Sequence, residues 1–325
     1  MDQRKSVLIG FLLSTNKTIY ITLIIAVALS IASPYFFTTT NLLNVTRQVV
    51  VSGIVGFAFT LCLASRSIDL SVGSMLALVG GIVAILIKDF HFPVYAAILV
   101  GLVSGVLFGL INAACITYFN IPPFIVTLAT ASIYRGILYI MTNMVPVIGL
   151  PASFKYLGQG YLWEIPVQIY LFIFIFIVMY VLANQTRFGR YVVAMGANEE
   201  ASRISGINII NVRFAVYAIV GLCVGIAGVL QTARAASAQT GAGLWMEMDV
   251  IAAVVIGGTA LYGGNANIIG TFFGVFIIGI ILNGLNLLGI NPNYQLIFKG
   301  LLILLALILD RVSLHLRTKY KKPDI

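Results

Sequence analysis

Apolar residues run almost unbroken along this chain, and polar residues arrive in short clusters between them. No Lys, Arg, Asp or Glu occurs from Thr18 to Thr46, from Phe92 to Thr130 or from Ile165 to Ala183. Runs of this length can cross a bilayer, which takes roughly 17 to 25 residues per helix. A soluble fold would need polar faces to meet water, and these runs have none. The pattern predicts about ten spans, near residues 18–37, 48–64, 70–87, 94–119, 124–141, 165–183, 213–230, 249–264, 269–288 and 294–309. The second, third, eighth and tenth are short or broken by glycine, so interrupted or re-entrant helices are expected there. Non-helical backbone at membrane depth must be buried in protein or line a cavity, because lipid offers it no hydrogen bond. The stretch Ile19–Phe36 lacks a following cleavage motif and reads as a first span, not a signal peptide.

Composition agrees: 60% of the 325 residues are hydrophobic and 9% charged, against about 25% charged in a soluble domain. The fold class is an all-α polytopic membrane protein, and residues 1–325 read as one transmembrane domain. The net charge of +9 reports loop charge placement and gives no indication of nucleic acid. With the N-terminus inside, an even number of spans returns the C-terminus inside. The inner side then collects Arg4, Lys5, Lys17, Arg66, Arg187, Arg190, Arg203, Arg213 and the basic tail from Arg311 to Lys322. The outer side receives Arg47, Lys88, Lys155, Arg234 and Lys299. This bias predicts cytoplasmic termini and makes the longest polar interruption, residues 184–212, a cytoplasmic loop. Cys62, Cys115 and Cys223 all fall inside apolar spans and read as small packing residues.

The two halves of the chain echo each other. Asp69 in IDLSVGSML follows the second span, and Asp249 in MDVIAAVV follows the seventh. GLVSGVLFGLIN (Gly101 to Asn112) resembles GTFFGVFIIGIILN (Gly270 to Asn283), and loops with Ile121-Pro122 and Asn291-Pro292 follow. YRGILYI from Tyr134 then matches FKGLLIL from Phe298. The third and eighth spans run in opposite directions, so residues 66–141 and 247–309 are candidate inverted repeats. Such repeats are common in transporters, with the path at their interface.

Several polar residues are candidates for a path or gate. Asp69 and Ser71 open the third span; Asp69 either lines the path or caps the helix that follows. Arg135 falls within the fifth span. An aqueous cavity, a carboxylate partner, snorkelling or a shifted span boundary would each account for it. Asn112, Asn283 and Asn286 offer amide groups that suit a sugar hydroxyl or clamp one helix to another. Gly101, Gly105 and Gly109, and likewise Gly270 and Gly274, repeat every four residues and allow close helix contact. Gly257, Gly258, Gly263 and Gly264 bracket TALY and read as a break or tight turn.

The 184–212 loop carries a compact design. Asn198 can cap a helix whose first turn holds Glu199 and Glu200, where carboxylates face the positive helix end. Arg203 falls in its last turn, and Gly206 can take the left-handed closing position after Ser205. A helix of about seven residues is marginal alone in water. It needs a partner surface or the inner face of the protein. No G-x-x-x-x-G-K-[ST], H-E-x-x-H or G-x-S-x-G occurs in the chain, so hydrolysis and redox chemistry have no visible apparatus.

Five blocks carry a family resemblance: IDLSVGSMLAL, IPPFIVTLAT, GRYVVAMGANEEASRISGI, DVIAAVVIGGTALYGG and NGLNLLGI. Together they span nearly the whole chain. It resembles the membrane permease subunit of ATP-driven monosaccharide importers of the ribose, xylose and galactose type. The resemblance implies a bacterial inner or plasma membrane protein that works beside a second permease subunit, identical or related. It further implies two copies or halves of a cytoplasmic ATP-binding-cassette ATPase and a soluble sugar-binding protein on the outer side. ATP and Mg would then be used by the partner ATPase, and this chain would hold no cofactor, no metal and no catalytic residue. The family's coupling motif falls on Gly196, Asn198, Glu200, Ala201, Ser205, Gly206 and Ile207. Ala266 stands where relatives often carry glycine. Trp245-Met246 precedes Glu247 where relatives often carry Gly-Tyr, which makes Trp245, Glu247 and Asp249 candidates for outer-surface docking. The rival reading is a secondary sugar transporter, for which Asp69 and Asp249 are the sole candidate ion ligands.

Overall fold

The computed structural model describes residues 17–291, 293–301, 304 and 308. Its helices are α1 (Lys17–Ala32), α2 (Thr39–Ala64), α3 (Val72–Lys88), α4 (Val94–Tyr118), α5 (Pro123–Thr142), α6 (Ala152–Gln159) and α7 (Val167–Gln185). They continue as α8 (Arg187–Ala197), α9 (Glu199–Ile204), α10 (Ile209–Ala235), α11 (Met246–Ile256) and α12 (Ile268–Leu287). Residues 293–301 are also helical. Among the described residues, β1 (Tyr161–Leu162) pairs antiparallel with β2 (Ile165–Pro166), and Val147 forms an isolated antiparallel bridge with Ala238. Among the described residues α2, α4, α5, α7, α10 and α12 are long and apolar enough to cross a membrane, and α1 and α3 are shorter apolar helices. The chain is a polytopic α-helical membrane protein.

Two long helices form the centre. In α2 every residue from Gly53 to Ala64 is buried, and α10 packs against α2, α3 and α4. In the glycine series of α4, Gly101 sits against Val83 of α3, and Gly105 and Gly109 face α10. A Cβ on Gly105 would overlap the Gly221 carbonyl, and one on Gly109 would overlap that of Tyr217. Gly270 and Gly274 of α12 lie against the carbonyls of Gly257 and Ala253 in the same way. Phe57, Phe172 and Phe272 fill the seam between α2, α7 and α12, with the Phe172 centroid 5.2 Å from Phe57 and 5.5 Å from Phe272.

The expected helix interruption is seen at the eighth of the named spans. The second span is continuous and starts at Thr39, not 48, because Thr38 accepts a hydrogen bond from the Asn41 amide and caps it. The third is also continuous, over Val72–Lys88. The eighth covers Met246–Ile256 alone, and residues 257–264 form a turn where Gly258, Gly263 and Gly264 all have positive φ. The starts of α3 and α11 meet inside the protein: a Cβ on Gly73 would strike the Gly243 carbonyl, and one on Gly243 the Gly73 carbonyl. From that meeting point α3 runs toward the Ala235 end of α10, passing Gly228 and then Thr232. The helix α11 runs the other way, to the turn beside Ala64.

The two ends of the bundle differ. One carries α8, α9, the Ala64 end of α2 and the 257–264 turn. The other carries α6 and the β1–β2 hairpin. There Gln159 Nε2 donates to the Arg234 carbonyl at 3.0 Å, and the Arg47 guanidinium lies 4.7 Å from the Tyr161 ring centroid. Arg4, Lys5, the basic tail from Arg311, Pro292 and the end of the tenth span lie outside the described residues.

Candidate functional site

The polar loop holds two helices where the sequence predicts one. The missed helix, α8, is capped by Thr186, whose hydroxyl accepts from the Gly189 amide at 3.2 Å. Its apolar residues Phe188, Val192 and Met195 recur at helical spacing, and Val192 and Met195 are buried. That periodicity was the available signal. Gly196 then seats α8: a Cβ there would overlap the Ala64 carbonyl and crowd the Gly264 amide. The Gly264 amide itself donates to the Ala64 carbonyl at 2.9 Å.

The predicted short helix is present as Glu199–Ile204, one residue shorter because Ser205 is its C-cap. Asn198 Oδ1 accepts from the Ala201 amide at 2.9 Å, and Gly206 closes the helix at φ +85. Glu199 accepts from Arg213 at 2.8 Å and Glu200 from Arg203 at 2.7 Å. The Arg203 guanidinium holds the Glu200 carboxyl below the usual glutamate range. Ser202 is buried beneath the helix, whereas Ile204 is 78% exposed. The arrangement is a short helix capped at both ends, with the Ile204 side chain exposed. Ile207 is half-buried, and its amide donates to the Ser202 carbonyl at 3.1 Å.

The candidate path residues separate into distinct groups. Asp69, Ser71 and Asn112 come together, all fully buried. Asp69 Oδ1 accepts from the Ser71 amide at 2.9 Å and from its hydroxyl at 2.5 Å, and Asn112 Nδ2 donates to Ser71 Oγ at 2.9 Å. Asp69 thus does accept an amide ahead of α3, and it does so while fully buried in the protein. Arg135 Nη1 donates to the carbonyls of Thr240 at 2.9 Å and Ala242 at 2.8 Å, and Glu247 is near enough to interact with its charge. Asn283 and Asn41 exchange hydrogen bonds at 3.0 and 2.9 Å. Asn286 Oδ1 accepts from Gln295 at 2.7 Å.

Of the outer-surface candidates, Trp245 is 52% exposed, while Glu247 and Asp249 are half-buried. Asp249 Oδ2 receives Lys299 Nζ at 2.8 Å. Asp249 also lines a pocket of about 200 Å³ with Gln48, Ser52, Gln231 and Arg234. The last four were missed by sequence reasoning. Their signal was weak: two polar positions four apart on α2 and two three apart on α10.

Residues 41–307 match the family described as the branched-chain amino acid transport system / permease component. The ribose import permease protein RbsC of Bacillus subtilis is 43% identical over 290 residues, covering 89% of this chain and 90% of that protein. The protein of the same name in Escherichia coli K12 is 37% identical over 302 residues, covering 92% and 94%. The xylose transport system permease protein XylH of Escherichia coli K12 is 32% identical, covering 91% and 93%. No solved structure gives a significant match.

Proposed function

This chain belongs to the family described as the branched-chain amino acid transport system / permease component, and on that premise we propose that it is the membrane permease subunit of an ATP-driven sugar importer. A pentose or hexose is the cargo, ribose-like first, because the relatives named above are ribose and xylose permeases. The chain is a transport subunit of the bacterial inner or plasma membrane. ATP and Mg are used by a separate cytoplasmic ATPase, and a soluble binding protein delivers sugar to the outer face.

The observation that carries this reading is the seating of α8 and α9. The helix α9 offers Ile204 outward, and α8 fixes it through Gly196 to the end of α2 and the Gly263–Gly264 turn. That turn continues into α12, whose cap Asn267 also donates to the Gly257 carbonyl at 2.9 Å. Closure of an ATPase pair against α9 would therefore press on the ends of α2, α11 and α12 together. Gly196, Asn198 to Ala201, Arg203 and Ser205 to Ile207 form this coupling element within a cytoplasmic 184–212 loop.

The finer architecture follows the same reading. Ten spans place both termini in the cytoplasm, and residues 66–141 and 247–309 form inverted repeats. Support comes from α3 and α11, short helices that start side by side and leave in opposite directions. A second permease subunit completes the pathway. The test is reconstitution with an ATPase and a binding protein encoded beside this chain, followed by measurement of labelled ribose entry into proteoliposomes. Entry that requires hydrolysable ATP is expected. Entry driven by an ion gradient without ATP would replace this reading with a secondary transporter.

A further inference from the structure

The short helices α3 and α11 border the pocket of about 200 Å³ in the half of the bundle near Arg234. Leu76 of α3, Gly243 and Met246 at the start of α11, and α2, α10 and α12 wall it. Non-helical backbone at membrane depth is tolerated where it lines such a cavity. At roughly 30 Å³ per water, the space suits about seven waters or one monosaccharide ring.

Its polar groups have a definite division of labour. The charges are largely engaged by the protein. Arg234 donates to the Arg47 carbonyl and to Gln231 Oε1, each at 2.8 Å. Asp249 Oδ2 takes the Lys299 ammonium. What remains for a ligand is the amide nitrogen of Gln231, the second oxygen of Asp249, the Gln48 amide and the Ser52 hydroxyl. Ser52 donates weakly to the Val49 carbonyl at 3.3 Å and keeps its acceptor capacity. Donors and acceptors are therefore interleaved. An anion would meet the Asp249 carboxylate. An apolar ligand would leave the amides unpaired, which is costly away from water. Val51, Leu76, Ile278 and Leu282 supply an apolar wall for C–H faces.

We infer that Gln48, Ser52, Gln231 and Asp249 form a transit site for a neutral polyhydroxylated ligand, a sugar hydroxyl being the group each contacts. The inference rests on the importer reading and names where in this chain the cargo pauses. Arg234 is a positioning residue that orients Gln231.

The experiment compares the reconstituted wild-type complex with one carrying Gln48→Leu and Ser52→Ala. Ribose moved per ATP hydrolysed is the readout, since loss of assembly does not by itself change that ratio. A fall of about tenfold is expected, as two lost hydrogen bonds to neutral groups would give. A ratio equal to the wild type overturns the site. As a milder probe, Ser52→Cys in the same complex is treated with a charged thiol reagent with and without millimolar ribose. Slower labelling with ribose supports the site, and equal rates overturn it. A wild-type complex that moves no ribose with ATP fails the importer reading instead, a separate outcome.

Discussion

Gly196 of α8 lies against the carbonyl oxygen of Ala64, the last residue of α2, with no room for a side chain between them. The contact is also crowded by the Gly264 amide, so three chain segments meet at one glycine. Gly196→Val must push α8 off this seat. Overpacking of this kind costs about 1–3 kcal/mol, and here it also detaches α9 from the bundle. Binding-protein-stimulated ATP hydrolysis should fall severalfold while the protein remains in the membrane. Gly206→Ala is the comparison. Its surroundings are open but its φ is +85, so it should cost only the left-handed strain of about 1 kcal/mol and keep stimulation. Equal stimulation in both variants would remove the Gly196 contact from the coupling route.

Asn41 and Asn283 bind each other through both amides, one on α2 and one on α12. Both are buried. Truncating Asn283 leaves Asn41 Oδ1 without its donor, although Asn41 Nδ2 keeps the Phe36 carbonyl at 2.9 Å. Asn283→Ala should lower stability by about 1 kcal/mol, read as thermal unfolding in detergent. The double variant Asn41→Leu, Asn283→Leu removes both polar groups and should recover much of that loss. A double variant whose cost is the sum of the two single ones would show that the pair is not coupled.

The helix α9 was legible in the sequence because caps are local: Asn198, Glu199, Glu200 and Gly206 sit at fixed offsets and need no distant partner. The long apolar helices α2, α4, α5, α7, α10 and α12 were legible because lipid imposes continuous apolarity. What failed was anything set by tertiary contact. The start of α2 was missed since its polar positions look like loop, yet Arg47 rests over Tyr161 and Asn41 pairs with Asn283, 242 positions away. Asp69 was recognisable as an amide acceptor, but its depth comes from Asn112 on α4. The pocket residues were invisible for the same reason, being single polar side chains on separate helices.

Glu200 is exposed and paired with Arg203 at 2.7 Å, so the bond adds little to stability. Its carboxyl is held below the ordinary value, and a depressed carboxylate stays ionised from mildly acid pH upward. Any contribution is lost only as pH falls through the depressed value. Coupling should therefore show no titration from this group near neutrality. Glu200→Arg places two cations on adjacent turns and reverses the charge presented to a partner. Stimulated ATP hydrolysis should be abolished without loss of the protein from the membrane, and so should it in a chain lacking residues 198–206. Normal stimulation in both would sink the docking role of α9.

The opposed directions of α3 and α11 give a sidedness prediction. Asp89 follows α3 and Asn265 follows α11, and both are exposed. If the two helices belong to inverted repeats, these positions lie on opposite faces of the membrane. Asp69 and Asp249 are poor reporters, since one is fully buried and the other is paired with Lys299. Single cysteines at Asp89 and at Asn265 should react with a membrane-impermeant thiol reagent in intact cells only at Asp89. Inverted vesicles should reverse the result, and a cysteine at Arg203 should follow Asn265, because α9 shares its end of the bundle. Reaction of Asp89 and Asn265 from the same face would reject the inverted arrangement, and with it the orientation assigned to the coupling helix.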